Sequence, residues 1–309
     1  MELFFNNLLG LFLILNFITD SNAQSLKKSK VSSNLYLYDL IEKKSKLLKS
    51  ENRHIEAPNW DPNNNFLIIN SNGRLEKYDT EGHYIGVIPT GSLNKCNNDH
   101  GISYDGKNLF FSSGKRKIKG HSSFIYKVSI LGGKPELLTK NSPSYWHGVS
   151  PNGKDIVYTA KRNNNYDIYM MNIDEKKEVR LTFAQGLDDG PEYSPDGKFI
   201  YFNSFREGKM EIWRMLTDGS CQEKLTHDDY SNWFPHVAPD NKKFVFLSYV
   251  KDQKQNHPFG KNVKLRLYNL ITKSIEDITP TFIGGQGTIN VSSWSPDGTK
   301  FAYISYSFQ

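Results

Sequence analysis

Histidine is the residue type in this sequence best suited to chemistry, since its imidazole can act as a general acid, a general base or a metal ligand near neutral pH. Eight histidines occur, and five of them lie near loops at comparable points of a repeated pattern: His100, His121, His147, His236 and His257. Each of them alone is more typical of a surface or structural position. If the fold brings them to one opening, they form a candidate active site.

One reaction that such a set could perform is β-elimination from a uronate-containing acidic oligosaccharide, which would make the protein a carbon–oxygen lyase. The reaction needs a base for the C5 proton, an acid for the group leaving C4, and a cation beside the carboxylate. The candidate bases are His147, His236 and His257. Tyr145 is the candidate acid, and Arg162 or Arg206 could supply the cation. The residues do not distinguish loss of a sugar from loss of water.

Other functions remain open. Asp188, Asp189 and Glu192 could brace loops, or two of them could hydrolyse a glycosidic bond. The sequence has no Gly-x-Ser-x-Gly motif, which argues against a serine peptidase. A non-catalytic protein that binds a glycan, a peptide or an envelope protein is the main alternative to the lyase. Loss of one histidine would weaken such a binder gradually, but would nearly abolish turnover by an enzyme.

A repeated phrase predicts how these residues are positioned. It consists of an apolar stretch, Ser-Pro-Asp-Gly-Lys or a variant, and a second apolar strand, and it recurs about every 45 residues. The six copies are Asn59–Asn70, Gly101–Ser112, Gly148–Thr159, Glu192–Asn203, His236–Leu247 and Ser293–Ile304. Pro presets the first central position of a tight turn, and Asp or Asn followed by Gly tolerates the rest.

This spacing predicts an all-β, six-bladed propeller with four antiparallel strands per blade. The last copy lacks its outer strands, while Asn34–Leu40 and Lys46–Leu48 near the N-terminus read as a matching pair. We therefore expect the N-terminal strands to complete the C-terminal blade and close the ring, which removes exposed sheet edges. In this arrangement the five histidines share one face, together with Trp233 and the segment 284–288.

The Trp-Ser-Pro-Asp-Gly copy at Trp294–Gly298 and its variants resemble the TolB-like family of propellers. The family hosts scaffolds, peptidase accessory domains and polysaccharide lyases, so the resemblance implies the fold more strongly than the function. Within the fold, a weaker resemblance to oligogalacturonate lyases implies a divalent metal, Mn²⁺ or Zn²⁺. The ligands carried over from that resemblance are His100, His147, His236 and Gln286, with Glu192 as a substitute ligand.

The N-terminal segment predicts export. Leu8–Ile18 is apolar but too short to span a bilayer, and Ser21-Asn22-Ala23 offers a cleavage site. We therefore expect a signal peptide at residues 1–23, a single domain at 24–309, and a periplasmic or secreted protein. The net charge of +6 suits an acidic glycan or simply keeps the protein soluble.

The same reading makes further expectations about cysteines and partners. Cys96 and Cys221 fall on opposite faces of the disc in the repeat register, so we expect them to be unpaired. The substrate expected is an acidic oligosaccharide. We expect a monomer that binds no nucleic acid and has no membrane span.

Overall fold

The protein is described by a computed structural model for residues 31–114 and 122–308, and over these residues it is all-β. The strands, in chain order, are β1 (Val31–Asp39), β2 (Lys44–Glu51), β3 (Glu56–Trp60), β4 (Leu67–Ser71), β5 (Arg74–Tyr78), β6 (Tyr84–Val87), β7 (Cys96–Ile102), β8 (Asn108–Ser113), β9 (Phe124–Ser129), β10 (Glu136–Leu137), β11 (Ser144–Val149), β12 (Asp155–Arg162), β13 (Asn165–Asn172), β14 (Glu178–Arg180), β15 (Asp188–Tyr193), β16 (Phe199–Ser204), β17 (Glu211–Leu216), β18 (Glu223–Lys224), β19 (Ser231–Val237), β20 (Lys243–Tyr249), β21 (Phe259–Asn269), β22 (Ile275–Asp277), β23 (Phe282–Gly285) and β24 (Lys300–Phe308).

These strands form six antiparallel sheets, which are the blades of the predicted propeller. Blades one to four are β3–β6, β7–β10, β11–β14 and β15–β18. Blade five is β19–β22, and β23 also pairs with β21. The predicted signal peptide at residues 1–23 lies outside the described residues. Within the described part of the chain, no helix is long and apolar enough to cross a membrane.

Blade six joins the two ends of the chain. Its strand order is β2-β1-β24, and β1 pairs with β24 from Val31 opposite Phe308 to Asp39 opposite Lys300. The innermost segment, residues 288–294, is irregular; it meets β24 through a bridge between Trp294 and Phe301 and through backbone hydrogen bonds from Ala302 to Ser293 and from Ile304 to Thr288. This pairing of β1 with β24 is consistent with the predicted closure of the ring by the N-terminal strands.

The repeated phrase forms the turn between the two inner strands of each blade. In blade four the Ser194 hydroxyl donates to Asp196 at 2.7 Å, the Asp196 carboxylate accepts from the Lys198 amide at 3.2 Å, and Gly197 has a φ of +69°. Ser103, Ser150 and Ser295 make the equivalent contact in three other blades. The Ser-Pro-Asp-Gly pattern is therefore a side-chain-braced turn, with glycine at the left-handed position.

The recurring Leu-Thr and Ile-Thr pairs also have a mechanical reason. Each threonine is buried, and its hydroxyl accepts a hydrogen bond from a backbone amide of the third strand, 14 residues before it, at 2.9 or 3.0 Å. The four threonines are Thr139, Thr182, Thr226 and Thr279. This bond fastens the short outer strand to its neighbour at a point where the backbone ladder ends. Both cysteines are free, as expected, with Cys96 buried and Cys221 exposed.

Neighbouring blades are locked by aromatic side chains, and the tightest contact joins Trp146 of blade three to Gly101 of blade two. A Cβ atom at Gly101 would lie 2.2 Å from Cη2 and 2.6 Å from Cζ3 of Trp146. The indole also stacks on Phe110, with a centroid separation of 6.1 Å. Only glycine at position 101 leaves room for the indole.

We expect Gly101→Ala to lower the free energy of unfolding by about 3 kcal/mol, because overpacking a rigid core forces strained rotamers or backbone shifts. Chemical denaturation of the purified protein measures this loss. Trp146→Phe removes the clashing ring atoms, so the double variant should be more stable than the sum of the single effects predicts. Strictly additive effects would show that the contact does not limit packing.

Candidate functional site

The candidate site is built by β-bulges in the innermost strands. The register slips between Glu56 and Asn59, Cys96 and His100, Trp146 and Gly148, Asp189 and Glu192, and Trp233 and His236. In three blades the bulged residue has a left-handed backbone, with φ of +55° at Ala57, +62° at Gly190 and +54° at Phe234. A bulge breaks the alternation of side chains and re-aims the residues around it. Here it turns polar side chains towards the centre of the disc.

These side chains surround a cavity of about 600 Å³, which we call the funnel. Its ionisable wall residues are Asp99, His147, Asp189 and His257, with the phenols of Tyr145 and Tyr166. Five amide side chains complete the polar wall, namely Asn97, Asn98, Gln255, Gln286 and Asn290. The size is that of an ordinary small-molecule site.

Asp189 is the electrostatic centre of the funnel. Its Oδ1 lies 3.3 Å from His147 Nε2, and its Oδ2 lies 3.6 Å from His257 Nε2. Burial would raise the pKa of Asp189, but the hydrogen bond from His147 and the charge of that imidazole outweigh burial and lower the pKa to about 2. Asp189 is therefore a carboxylate throughout the physiological pH range.

The two histidines respond to this carboxylate differently. Burial opposes protonation of His147, but its hydrogen bond to Asp189 and the nearby charges of Asp99 and Glu192 raise its pKa overall. Burial dominates at His257 and lowers its pKa, despite the charge of Asp189. One imidazole of the funnel thus favours the charged form, and the other favours the neutral form.

The carboxyl group of Asp99 differs from that of Asp189, because its pKa is raised and not lowered. Burial, with the repulsion of Asp189 added, raises its pKa to about 6, while a hydrogen bond of 2.7 Å from Asn97 holds the side chain in place. Glu56, at the edge of an adjoining cavity that shares Gln286 with the funnel, also has its pKa raised by burial, to about 7. The funnel therefore holds both an ionised carboxylate and a carboxyl poised to release a proton near neutral pH.

The structure places His147, His257, Tyr145 and Gln286 in the funnel, as the sequence predicts. His100 is a correction. It is fully buried and pairs with Phe111 in the strand ladder, whereas its counterpart His147 falls inside the bulge and is skipped by the ladder. In blade two the bulge comes earlier, so Asp99 projects into the funnel in place of His100.

His236 and Glu192 pair with each other below the funnel. His236 Nδ1 lies 2.5 Å from Glu192 Oε2, and its Nε2 donates to the Ile289 carbonyl, also at 2.5 Å. Glu192 and His147 line a second cavity of about 250 Å³. The buried His236 is thus held on both ring nitrogens and is not placed to act as a base.

The predicted metal site does not fit this arrangement. His236 has no free lone pair, His100 is packed away from the cavities described above, and the Gln286 carbonyl is engaged by His257. Over residues 31–114 and 122–308, no group of three or more His, Cys, Asp and Glu side chains could hold a metal ion. The likeness of residue types to a metal-dependent lyase therefore does not extend to their geometry.

The two arginines also differ from expectation. Arg162 binds Glu178 at 2.6 Å and the Pro143 carbonyl at 2.9 Å, and Arg206 binds Asp188 at 3.1 Å. Neither arginine lines the funnel. Both brace blade edges and are not placed to neutralise a substrate carboxylate. His121 lies outside the described residues.

Several funnel residues were not predicted because only two positions of the repeat were compared, those of His147 and of Gly148. The position two residues earlier than His147 holds Glu56, Asn98, Tyr145, Asp189, Trp233 and Asn290 in the six copies. All six side chains carry polar groups, and four of them, Asn98, Tyr145, Asp189 and Asn290, line the funnel. A repeat position that is polar in every copy is a signal for a functional ring, and it would have pointed to Asn98 and Asn290.

The TolB beta propeller domain family, PD40, matches residues 142–289. An uncharacterized protein of Agrobacterium fabrum is 43% identical over 275 residues, which cover 89% of this chain and 92% of the relative. A solved structure described as a candidate TolB from Agrobacterium tumefaciens has a TM-score of 0.84 and 42% identity, over 90% of this chain and 99% of that one.

A more distant likeness concerns the fold alone. An oligogalacturonate lyase solved in complex with manganese has a TM-score of 0.51 at 12% identity, over 86% of this chain and 70% of the lyase. The strong matches all point to one family, and the repeated turns and bulged inner strands give that assignment its physical basis. The chain belongs to the TolB β-propeller family.

Proposed function

We propose that this protein is a binding propeller whose funnel recognises a carbohydrate. The observation that carries the proposal is the wall of the funnel, where five amides, two tyrosines and two carboxyl groups surround about 600 Å³. The Asn98 amide nitrogen is buried there without a hydrogen-bond partner. Dense, fixed hydrogen-bonding groups beside aromatic rings suit the hydroxyls and ring faces of a sugar.

The charge of the funnel favours a neutral or amine-bearing sugar over an acidic one. Among the described residues that line it, none is a lysine or arginine. The ionised Asp189 offsets the charged form of His147, and Asp99, which titrates near pH 6, adds negative charge as the pH rises. The sequence-based expectation of an acidic oligosaccharide assigned Arg162 or Arg206 to the substrate carboxylate, and neither arginine lines the funnel. The predicted leader at residues 1–23 supports placing this recognition outside the cytoplasm.

A second candidate is a carbon–oxygen lyase acting at the same site. It is favoured by the divergence between Asp99, with a pKa of about 6, and Asp189, with a pKa of about 2. Carboxyl groups whose pKa values are pushed apart are a recurrent feature of acid–base catalysts. In this candidate His147 or His257 would take the proton and Tyr145 or Asp99 would assist the leaving group.

One experiment separates these functions. Cellotetraose, the β-1,4-linked glucosamine tetramer and the β-1,4-linked glucuronate tetramer share a linkage but differ in charge, and each is titrated by calorimetry. We expect the neutral and cationic chains to bind and the anionic chain to bind about tenfold more weakly or not at all. Preferential binding of the glucuronate tetramer would overturn the proposed selectivity.

The samples from these titrations also show whether the protein cleaves the glucuronate tetramer. Elimination from the glucuronate tetramer creates a C4–C5 double bond that absorbs ultraviolet light, whereas binding alone leaves the spectrum unchanged. We expect no increase in absorbance. A steady increase that is lost in Tyr145→Phe would favour the lyase.

A further inference from the structure

A chain of hydrogen bonds fixes the tautomer of His257. The backbone N–H of Gly287 donates to Asn290 Oδ1 at 2.5 Å, which settles the orientation of the Asn290 amide. The Asn290 Nδ2 group therefore donates to Gln286 Oε1, at 3.3 Å. The same oxygen contacts His257 Nδ1, so that nitrogen must carry the proton and donate.

The other ring nitrogen of His257, Nε2, is then a hydrogen-bond acceptor, and it faces an oxygen of Asp189 that is also an acceptor. Burial lowers the pKa of His257 and so favours the neutral imidazole, whose Nε2 presents a lone pair and lies 3.6 Å from Asp189 Oδ2. The second oxygen of the carboxylate, Oδ1, faces His147 Nε2 at 3.3 Å. Two acceptors at this separation repel each other unless a donor bonds to both of them.

Resting on the proposed function, we propose that the sugar recognised by the funnel carries a protonated primary amine, which donates to Asp189 Oδ2 and His257 Nε2 together. Both acceptors line the funnel. An ammonium group has three N–H donors and no acceptor, so it satisfies both groups without introducing a new repulsion. A hydroxyl has one donor and cannot satisfy both acceptors equally.

The charge at this position also favours an amine. The Asp189 side chain is only 9% exposed, and within the described residues no lysine or arginine lines the cavity around it. A charge-assisted hydrogen bond in such a place is about twice as strong as a neutral one. In this account Gln286 is a positioning residue, because its oxygen sets which nitrogen of His257 faces the ligand.

The first test compares the β-1,4-linked glucosamine tetramer with cellotetraose by calorimetry, at a pH where the amines are protonated. We expect the amino tetramer to bind about tenfold more tightly or better. If cellotetraose binds and the amino tetramer binds no tighter, the amine position is wrong while carbohydrate recognition stands. If neither tetramer binds, carbohydrate recognition falls and the tautomer measurement below still decides the geometry.

The Gln286→Glu variant tests the positioning role. A carboxylate at this place accepts from Nδ1 and favours the imidazolium, which puts a proton on Nε2 and turns the acceptor into a donor. The added negative and positive charges offset each other, so the expected tenfold loss of preference for the amino tetramer reports the donor pattern. Gln185→Glu makes the same change at an exposed position and should keep the preference.

The second test needs no ligand. Nitrogen-15 NMR of the imidazole groups distinguishes a protonated Nδ1 from a protonated Nε2, and His257→Gln identifies the signal. We expect His257 to be the Nδ1–H tautomer, whereas Nε2–H is the commoner form in free histidine. An Nε2–H tautomer in the native protein would overturn the inference, because Asp189 would then already have its donor.

Discussion

Deletion of Asn34–Leu48 is expected to abolish the cooperative unfolding transition of this protein. The segment contains most of β1 and of the β2 pairing, and without it β24 loses six of its nine residue pairs with β1. Tyr36 and Tyr38 would also leave their ring contacts with Tyr303 and Phe301, at centroid separations of 5.2 and 5.3 Å. The exposed strand edge would then favour aggregation. Differential scanning calorimetry and light scattering measure both effects.

A pair of leucines provides a sharper version of this test. Leu35 of β1 is fully buried against Ile304, whereas Leu47 of β2 is 49% exposed. We expect Leu35→Ala to lower the free energy of unfolding by about 3 kcal/mol, as core truncations do, and Leu47→Ala by less than about 1 kcal/mol. Equal effects, or a deletion variant that melts like the full chain, would contradict ring closure by these strands.

Asp189→Asn is expected to have the largest effect on ligand binding. The substitution keeps the shape of the side chain but removes the charge that both His147 and His257 face. Loss of one partner of a buried charged pair typically costs several kcal/mol, so the affinity for the preferred tetrasaccharide should fall about 100-fold or more. Asp174→Asn, in an exposed turn, should leave the affinity unchanged. Calorimetric titration of both variants measures the difference.

The same carboxylate also has a signature in the pH dependence of stability. Its folded pKa of about 2 lies below the ordinary value of 3.8, so it contributes stability above pH 4 that is lost as the pH falls towards 2. The shift corresponds to about 2 kcal/mol. Asp189→Asn should therefore be less stable than the native protein at pH 7, and the two should converge at low pH. If the free energies of unfolding of the two proteins instead changed in parallel across this pH range, the fold would not lower the pKa of Asp189.

The sequence predicts the fold well because the fold depends on local turn chemistry that repeats. The turn that Asp196 and Gly197 form in blade four recurs with equivalent residues in three other blades. The bond made by Thr182 also recurs in three other blades, so one copy explains most of the others. The strands at the two ends of the chain leave no exposed sheet edge only if they pair with each other. The architecture therefore follows from spacing and residue type.

The site is less predictable because bulges place it. His100 and His147 occupy equivalent positions of the repeat, yet one is sealed in the ladder and the other opens onto the funnel. The difference is a shift of the bulge along the strand, and it exchanges the roles of His100 and Asp99. No local sequence signal marks where each ladder slips, so a count along the repeat finds the right face but not every right residue.

The joining of both chain termini in blade six has a consequence for biosynthesis. Blades one to five are each made from one continuous stretch, so each can form as soon as its own residues leave the ribosome or the export channel. The sixth must wait, because β1 is made first and its partner β24 last. During that interval a partly built disc carries an unprotected edge at each end. The nascent chain is therefore most exposed to misassembly just before β24 appears, and a chain that stops short of β24 would leave β1 without its partner.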